Sequence, residues 1–214
     1  MFQIAIIMLA VLLTFSYGMI KGIVTKISII PGNTDGKYTI YIWGTMVFAT
    51  TFFIKDKLVY QLPVVDKRMI YVFFTIFIAN MFIAKYAGYK PIGRFNIINF
   101  VIFYPIVEEV IFRGYILPLL NKSFQYTFIE IAYLPVSISV IISAFLFSIA
   151  HLQYYKLNKW SIRYMSFAFI GGILFGAIAN YTQSILIPLL LHIEFNFLAA
   201  YYSSNYQKVS MQEK

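Results

Sequence analysis

Two adjacent carboxylates lie inside an apolar stretch of this chain, and an arginine follows the second of them by four residues. The carboxylates are Glu108 and Glu109, and the arginine is Arg113. An ionisable side chain at membrane depth costs roughly 2.5–3.5 kcal/mol on insertion scales. Burying three such side chains close together is too costly for a role in packing alone. They are therefore the first candidates for a chemical function.

Helical spacing divides these three side chains into a pair and a single carboxylate. Neighbours on an α-helix are about 100° apart, so Glu108 and Glu109 cannot face the same direction. Glu109 and Arg113 have the spacing at which side chains on a helix meet, which predicts an ion pair between them. Glu108 then has no arginine partner, and a buried carboxylate of this kind suits a general base. The alternative is that all three form a packing network around a cavity.

The two histidines of the chain fall in two other apolar stretches. One is His151. The other is His192, which precedes Asn196 by four residues and therefore shares a helix face with it. A lone buried histidine is usually a satisfied core residue, but two of them beside a carboxylate pair predict a common site. Glu194 points away from the His192 face, and we expect it to make a polar contact with another helix or with the membrane interface.

Composition predicts a membrane protein. The chain has 214 residues, of which 61% are hydrophobic and 12% are charged, whereas a soluble domain is about 45–50% apolar and about 25% charged. We therefore expect an all-α fold, a polytopic transmembrane bundle of about seven spans, with a polar, aromatic connection after the fourth. The seven apolar stretches, each near the roughly 20 residues that cross a bilayer, are 2–20, 38–54, 69–84, 97–120, 135–152, 162–180 and 185–202.

The basic residues predict orientation rather than a nucleic-acid partner. The net charge is +9, but the lysines and arginines are scattered among short loops. With seven spans, 11 of them lie on the side of the C-terminus and 5 on the other, which predicts an outside N-terminus and a cytoplasmic C-terminus. The expected location is a bacterial plasma membrane. The chain contains no cysteine, which excludes disulfides and cysteine-based sites.

The polar residues also match a family pattern. Three motifs occur in order, each in a separate stretch: Glu-Glu-x₃-Arg-Gly at 108–114, Phe-x₃-His at Phe147 and His151, and His-x₃-Asn at His192 and Asn196. Together they resemble the CAAX-protease and bacteriocin-processing (CPBP or Abi) family of intramembrane endopeptidases. The resemblance covers residues 97–202 as a catalytic core. Residues 1–96 form N-terminal spans without a recognisable motif, and 203–214 form a polar tail.

The resemblance implies a role for each matching residue. Glu108 would be the general base that activates a water molecule, and His151 would help to hold that water. Glu109 and Arg113 would form a supporting ion pair. Phe147 is expected to pack beside His151 rather than to take part in the chemistry.

The remaining motif residues would stabilise the reaction intermediate. His192 and Asn196 would donate hydrogen bonds to its oxyanion, and one such donor is worth about 10²–10³ in turnover. Glu108, His151 and His192 are also ligand types that a catalytic zinc accepts. No second histidine follows His192 at the zinc-protease spacing. We therefore favour a water activated by glutamate without a tightly bound metal, and leave a divalent metal such as zinc open.

The resemblance implies hydrolysis of a peptide bond within a lipid bilayer. The charge distribution places the end of the fifth stretch, where His151 lies, on the cytoplasmic side, so we expect cleavage near that side. The expected substrate is a membrane-associated peptide or protein, such as a bacteriocin or signalling-peptide precursor, by family analogy alone. Two other functions stay open. One is a non-proteolytic bacteriocin immunity or scaffold protein. The other is a small transporter or proton relay, where intramembrane Glu and His also occur, although no internal repeat is evident.

Overall fold

A computed structural model describes residues 2–27, 36–54, 57–124 and 126–212. Helices dominate this part of the chain, which confirms the all-α prediction. The helices are α1 (Phe2–Thr14), α2 (Ser16–Ile27), α3 (Thr39–Ile54), α4 (Lys57–Tyr60), α5 (Lys67–Ile83), α6 (Arg94–Ile98), α7 (Tyr104–Glu109), α8 (Leu117–Asn121), α9 (Ile138–Ala150), α10 (Lys159–Thr182) and α11 (Leu186–Gln212). Short 3₁₀ turns follow α5 at Ala84–Tyr86 and α9 at His151–Gln153.

Each of the seven predicted apolar stretches coincides largely with helix, but not all reach the length of a span. Among the described residues, four helices are long and apolar enough to cross a membrane, or five if α1 and α2, bent by 50° to each other, form one span. The others, Thr39–Phe53 and Ile138–Gln153, are shorter apolar helices. The segment predicted as a polar tail continues α11 as helix to Gln212, and 213–214 lie outside the described residues.

Polar side chains fix where three of the helices begin. Ser137 accepts a hydrogen bond from the Val140 amide at the start of α9, and Asn158 caps α10. Asp66 caps α5 by accepting from the Met69 amide at 2.8 Å. The Tyr181 hydroxyl also donates to Asp66, and this bond, more than the one from Met69, lowers the pKa of the Asp66 carboxyl.

A β-hairpin occupies the connection that sequence analysis described only as polar and aromatic. Strand β1 (Thr127–Ile131) pairs antiparallel with β2 (Leu134–Ser137), so the predicted fifth stretch becomes helical only after β2. Ala132 and Tyr133 form the turn with positive φ angles of 50° and 64°. A two-residue hairpin turn of this kind usually carries Asn or Gly. The Ala-Tyr pair therefore gave no sequence signal for the hairpin.

The helix that carries the carboxylate pair is continuous over Arg94–Asn121 but not uniform. Two π-helical stretches, Asn99–Phe103 and Val110–Ile116, separate α6, α7 and α8. Each stretch ends two residues before a proline, Pro105 or Pro118. A proline has no N–H to donate and crowds the carbonyl four residues earlier, so it disturbs regular α-helical hydrogen bonding. Such π stretches are frequent at functional sites, and here they flank the two carboxylates.

Close packing of α9 against α10 depends on glycine. A Cβ at Gly172 would lie 3.0 Å from the Cα of Ala144, and one at Gly176 would lie 3.1 Å from a methyl carbon of Val140. The close approach also brings the α10 backbone to the buried arginine, because the carbonyl of Gly172 accepts a hydrogen bond from Arg113 at 3.3 Å.

We expect Gly172→Ala to destabilise the protein by about 1–3 kcal/mol, the usual cost of overpacking. The added methyl would meet backbone of α9, which cannot rotate away. Gly171→Ala is the matched control, because nothing lies within 4 Å of a Cβ at that position. Thermal unfolding of the detergent-solubilised protein measures both. Equal melting temperatures for the two variants would contradict this account of the α9–α10 contact.

Candidate active site

Four of the predicted site residues meet at one cavity. The cavity has a volume of about 590 Å³, and Glu108, His151, His192 and Asn196 all line it. Each of the four is only 6–8% exposed. They come from α7, the 3₁₀ turn after α9, and α11. The structure therefore brings together side chains that lie up to 88 residues apart in the sequence.

The buried arginine is paired as its spacing predicted. Arg113 Nη1 donates to Glu109 Oε1 at 2.9 Å, and the two side chains are 1% and 0% exposed. The guanidinium carbon also lies 4.7 Å from the ring centroid of Phe147 and 5.6 Å from that of Phe175. Such cation–π contacts add to the stabilisation of a desolvated cation.

A contact that spacing could not show connects this ion pair to a histidine. His192 Nδ1 lies 2.8 Å from Glu109 Oε1, the oxygen that also accepts from Arg113. The Glu109 carboxylate accepts hydrogen bonds, so His192 Nδ1 carries the hydrogen. The ring then presents Nε2 towards Glu108, 3.8 Å from Oε2. Glu109 therefore orients His192 as well as compensating Arg113.

The second histidine is oriented by its own helix. His151 Nδ1 lies 3.0 Å from the carbonyl oxygen of Phe147. A carbonyl only accepts, so Nδ1 is the donor, and the neutral ring has its lone pair at Nε2. The ring also packs edge-on against Phe147, with centroids 5.3 Å apart. Phe147 thus contacts both His151 and the guanidinium of Arg113.

Asn196 has one amide hydrogen engaged and one left for the cavity. Its Nδ2 donates to the carbonyl oxygen of Phe100 at 2.8 Å. A side-chain amide carries two N–H donors, so this bond fixes the group while leaving a second donor. Glu194 makes the predicted polar contact with another helix, since it accepts from Asn80 Nδ2 at 2.7 Å.

Sequence reasoning missed the aromatic residues around these polar groups. Five tyrosines line the same cavity: Tyr17, Tyr89, Tyr104, Tyr154 and Tyr155. The ring of Tyr17 lies 4.8 Å from that of Tyr154 and 6.3 Å from that of Tyr104. The chain has 18 tyrosines, so tyrosine content alone does not mark the cavity. Only the adjacent pair Tyr154 and Tyr155, directly after the His151 turn, could have indicated tyrosines at the site.

The candidate metal ligands do not form a preformed metal site. Glu108, His151 and His192 line one cavity, but nowhere in the described part of the chain do three or more His, Cys, Asp or Glu side chains cluster closely enough to hold an ion. Protein acceptors engage the Nδ1 atoms of both histidines, which leaves the Nε2 atoms for contacts within the cavity.

We expect Glu109→Gln to lower stability strongly, because it leaves Arg113 buried without a counter-ion. Breaking a buried ion pair from one side costs about 3–5 kcal/mol. Glu108→Gln is the matched control, since it leaves no arginine unpaired. Removing both charges in Glu109→Gln/Arg113→Met should recover part of the loss. Thermal unfolding in detergent measures all three, and a double variant no more stable than Glu109→Gln would count against the ion pair.

Family comparison agrees with the geometry of the site. Residues 91–198, just over half of the chain, match the family model described as type II CAAX prenyl endopeptidase Rce1-like. Comparison with curated proteins and with solved structures gave no match. The matched segment contains all six predicted site residues, from Glu108 to Asn196, and the family supports a CAAX-type intramembrane protease. The chain belongs to the Rce1-like family of type II CAAX prenyl endopeptidases.

Proposed function

We propose that this chain hydrolyses a peptide bond in a membrane-associated substrate, with a water molecule activated by Glu108. One observation carries the proposal. Glu108, His151, His192 and Asn196, from three separate segments, line one cavity, and Glu108 is the carboxylate that the arginine ion pair does not include. A packing network alone would not need two oriented imidazoles and a spare amide hydrogen beside that carboxylate.

The first step is attack by water on the scissile carbonyl. Glu108 accepts a proton from the water, and His151 accepts a hydrogen bond from the same water through Nε2. The interaction of His151 Nδ1 with Phe147 leaves Nε2 free for this role. A positioned general base contributes about 10²–10⁴-fold. The water oxygen bonds to the carbonyl carbon, and the carbonyl oxygen becomes an oxyanion.

The oxyanion then needs donors, which α11 supplies. Asn196 offers its second amide hydrogen, and His192, when protonated on both nitrogens, offers Nε2–H. Both side chains are already held by other contacts, His192 by Glu109 and Asn196 by the Phe100 carbonyl. Fixed donors in a water-poor cavity stabilise developing charge without reorganisation. Glu108 finally returns its proton to the leaving nitrogen as the C–N bond breaks.

The cavity favours an apolar or lipid-modified substrate. Apart from the catalytic groups it is lined largely by aromatic and aliphatic side chains, including Phe167, Ile170 and Leu174 of α10. The matched family is described by its action on prenylated CAAX substrates. A prenylated peptide is therefore the first probe, and a bacteriocin or signalling-peptide precursor is the alternative substrate.

We expect Glu108→Gln to lower cleavage of a fluorescent farnesylated CAAX peptide by at least about 10²-fold, because the general base is lost. The protein should still fold, since the Glu109–Arg113 pair is intact. Peptide turnover in proteoliposomes is the measurement, with unfolding temperature as the folding check. Glu130→Gln in the exposed strand β1 is the matched control and should keep full activity.

Retained cleavage by Glu108→Gln would refute the proposed base. The rival functions give different results with the same variant. A bacteriocin immunity or scaffold protein would keep its protective effect in Glu108→Gln. A transporter or proton relay would show altered proton coupling. Comparing the membrane proteomes of cells that express the wild type or Glu108→Gln would reveal natural substrates as uncleaved precursors.

The side of the membrane on which cleavage occurs can be tested separately. The chain has no cysteine, so Leu152→Cys, at an exposed position beside His151, introduces a single reactive thiol. We expect a membrane-impermeant maleimide to label it only from the cytoplasmic side, in agreement with the charge distribution. A cysteine that replaces Lys159 at the start of α10, in a separate variant, provides a second labelling position with the same expected result. Labelling from outside alone would overturn the predicted orientation.

A further inference from the structure

The side chain of Gln153 joins the break in the first helix to the turn that carries His151. Between α1 and α2 the helix bends by 50°. In an unbroken helix the amide of Gly18 would donate to the carbonyl of Thr14. Here Gly18 N–H donates to Gln153 Oε1 at 2.7 Å, and the Thr14 carbonyl accepts from Gln153 Nε2 at 2.8 Å. The glutamine amide thus takes the place of one helical hydrogen bond.

This insertion explains why the helix can bend where it does. Unpaired backbone groups are costly at membrane depth, so a break there requires substitute partners. A glutamine amide has one acceptor and two donors, which matches the two backbone groups that the break exposes. Nε2 also donates to the Ala150 carbonyl at 3.2 Å, which anchors the amide to the end of α9. A side chain inserted into the backbone ladder is a known cause of sharp kinks.

The bend determines which side chains of α2 line the active-site cavity. Tyr17, inside the opened turn, is 5% exposed, and its ring lies 5.3 Å from that of Trp43. Tyr17 and Lys21 line the active-site cavity and also a second cavity of about 680 Å³. The second cavity adds Lys37 and Lys90. Tyr17 and Lys21 of α2 therefore lie on the boundary between the cavity that contains Glu108 and the second cavity, a boundary that Tyr89, Phe100, Tyr104 and Tyr155 share.

We propose that Gln153 is a positioning residue for substrate binding, because its amide holds the first helix bent so that Tyr17 and Lys21 stand between the two cavities. The inference rests on the proposed hydrolysis, since the substrate is what the cavities would receive. His151 has its own contact with the Phe147 carbonyl. Loss of the Gln153 amide should therefore weaken substrate binding more than it slows the chemical step.

The bend can be measured directly by spin labels at two cysteines introduced for Ile4 and Ile27, which are 63% and 65% exposed. Gln153→Met keeps the length of the side chain but removes its donors and acceptor. We expect the helix to straighten and the distance between the labels to increase by about 3 Å, from a rise of about 1.5 Å per residue. An unchanged distance would overturn the proposal.

Two glycines of α2 provide a matched pair for the same test. A Cβ at Gly18 would lie 3.0 Å from Gln153 Oε1, whereas nothing lies within 4 Å of a Cβ at Gly22. Gly18→Ala should displace the glutamine amide and shift the label distance as Gln153→Met does. Gly22→Ala adds the same methyl one turn further on and should leave the distance unchanged. Equal shifts in the two alanine variants would overturn the role of the glutamine contact.

Substrate binding is then measured without turnover, as the Kd of the farnesylated CAAX peptide in a Glu108→Gln background. Gln153→Met and Gly18→Ala should raise Kd about tenfold and change kcat in the active protein by less than about threefold. An unchanged Kd, a loss confined to kcat, or a wild type that does not bind the peptide would overturn the proposal. A wild type that binds the peptide without cleaving it would count against the proposed hydrolysis alone.

Discussion

The arrangement of the site depends on one buried ion pair. Glu109 and Arg113 are removed from solvent, and further contacts offset part of the desolvation cost of a buried pair. Here α10 contributes the Gly172 carbonyl, α9 contributes the ring of Phe147, and α11 contributes His192. The Glu109–Arg113 pair therefore depends on the positions of three other helices. The same arrangement leaves Glu108 without an arginine partner at the cavity.

Within the described residues, the helix that carries the carboxylates and the first helix both depart from regular geometry beside that cavity. The Arg94–Asn121 helix departs from regular α geometry on either side of the carboxylates. The first helix bends where the Gln153 amide replaces a backbone hydrogen bond. Irregular backbone at membrane depth is tolerated where protein or a wet cavity satisfies it. A cavity lined by charged and amide groups meets that condition. The irregular helical segments therefore lie beside the polar side chains of the site. Among the regular long helices, α5 and α10 contribute mainly apolar lining, whereas α11 contributes His192 and Asn196.

Local spacing made part of the site predictable. The Glu109–Arg113 pair follows from an i,i+4 separation, and the helical fold follows from composition. The contact between His192 and Glu109 spans 83 residues and depends on how two helices are rotated against each other, which a single sequence does not specify. The hairpin turn at Ala132 and Tyr133 lacked the usual residues for positive φ, and the insertion of Gln153 into another helix has no local signature. Span lengths differed because two of the apolar helices are short.

A neutral site with Glu108 ionised requires a second cation beside the buried ion pair. With Glu108 ionised and His192 protonated on both nitrogens, two carboxylates and two cations, His192 and Arg113, sum to zero. Moving one proton from His192 to Glu108 leaves the sum at zero, so the cavity can adopt either state without net charge in a low dielectric. When Glu108 instead takes a proton from water, the side chains sum to +1 at the moment the substrate becomes an oxyanion. The net charge of the whole site then returns to zero, because the new negative charge forms beside His192 and Asn196, where it is most strongly stabilised.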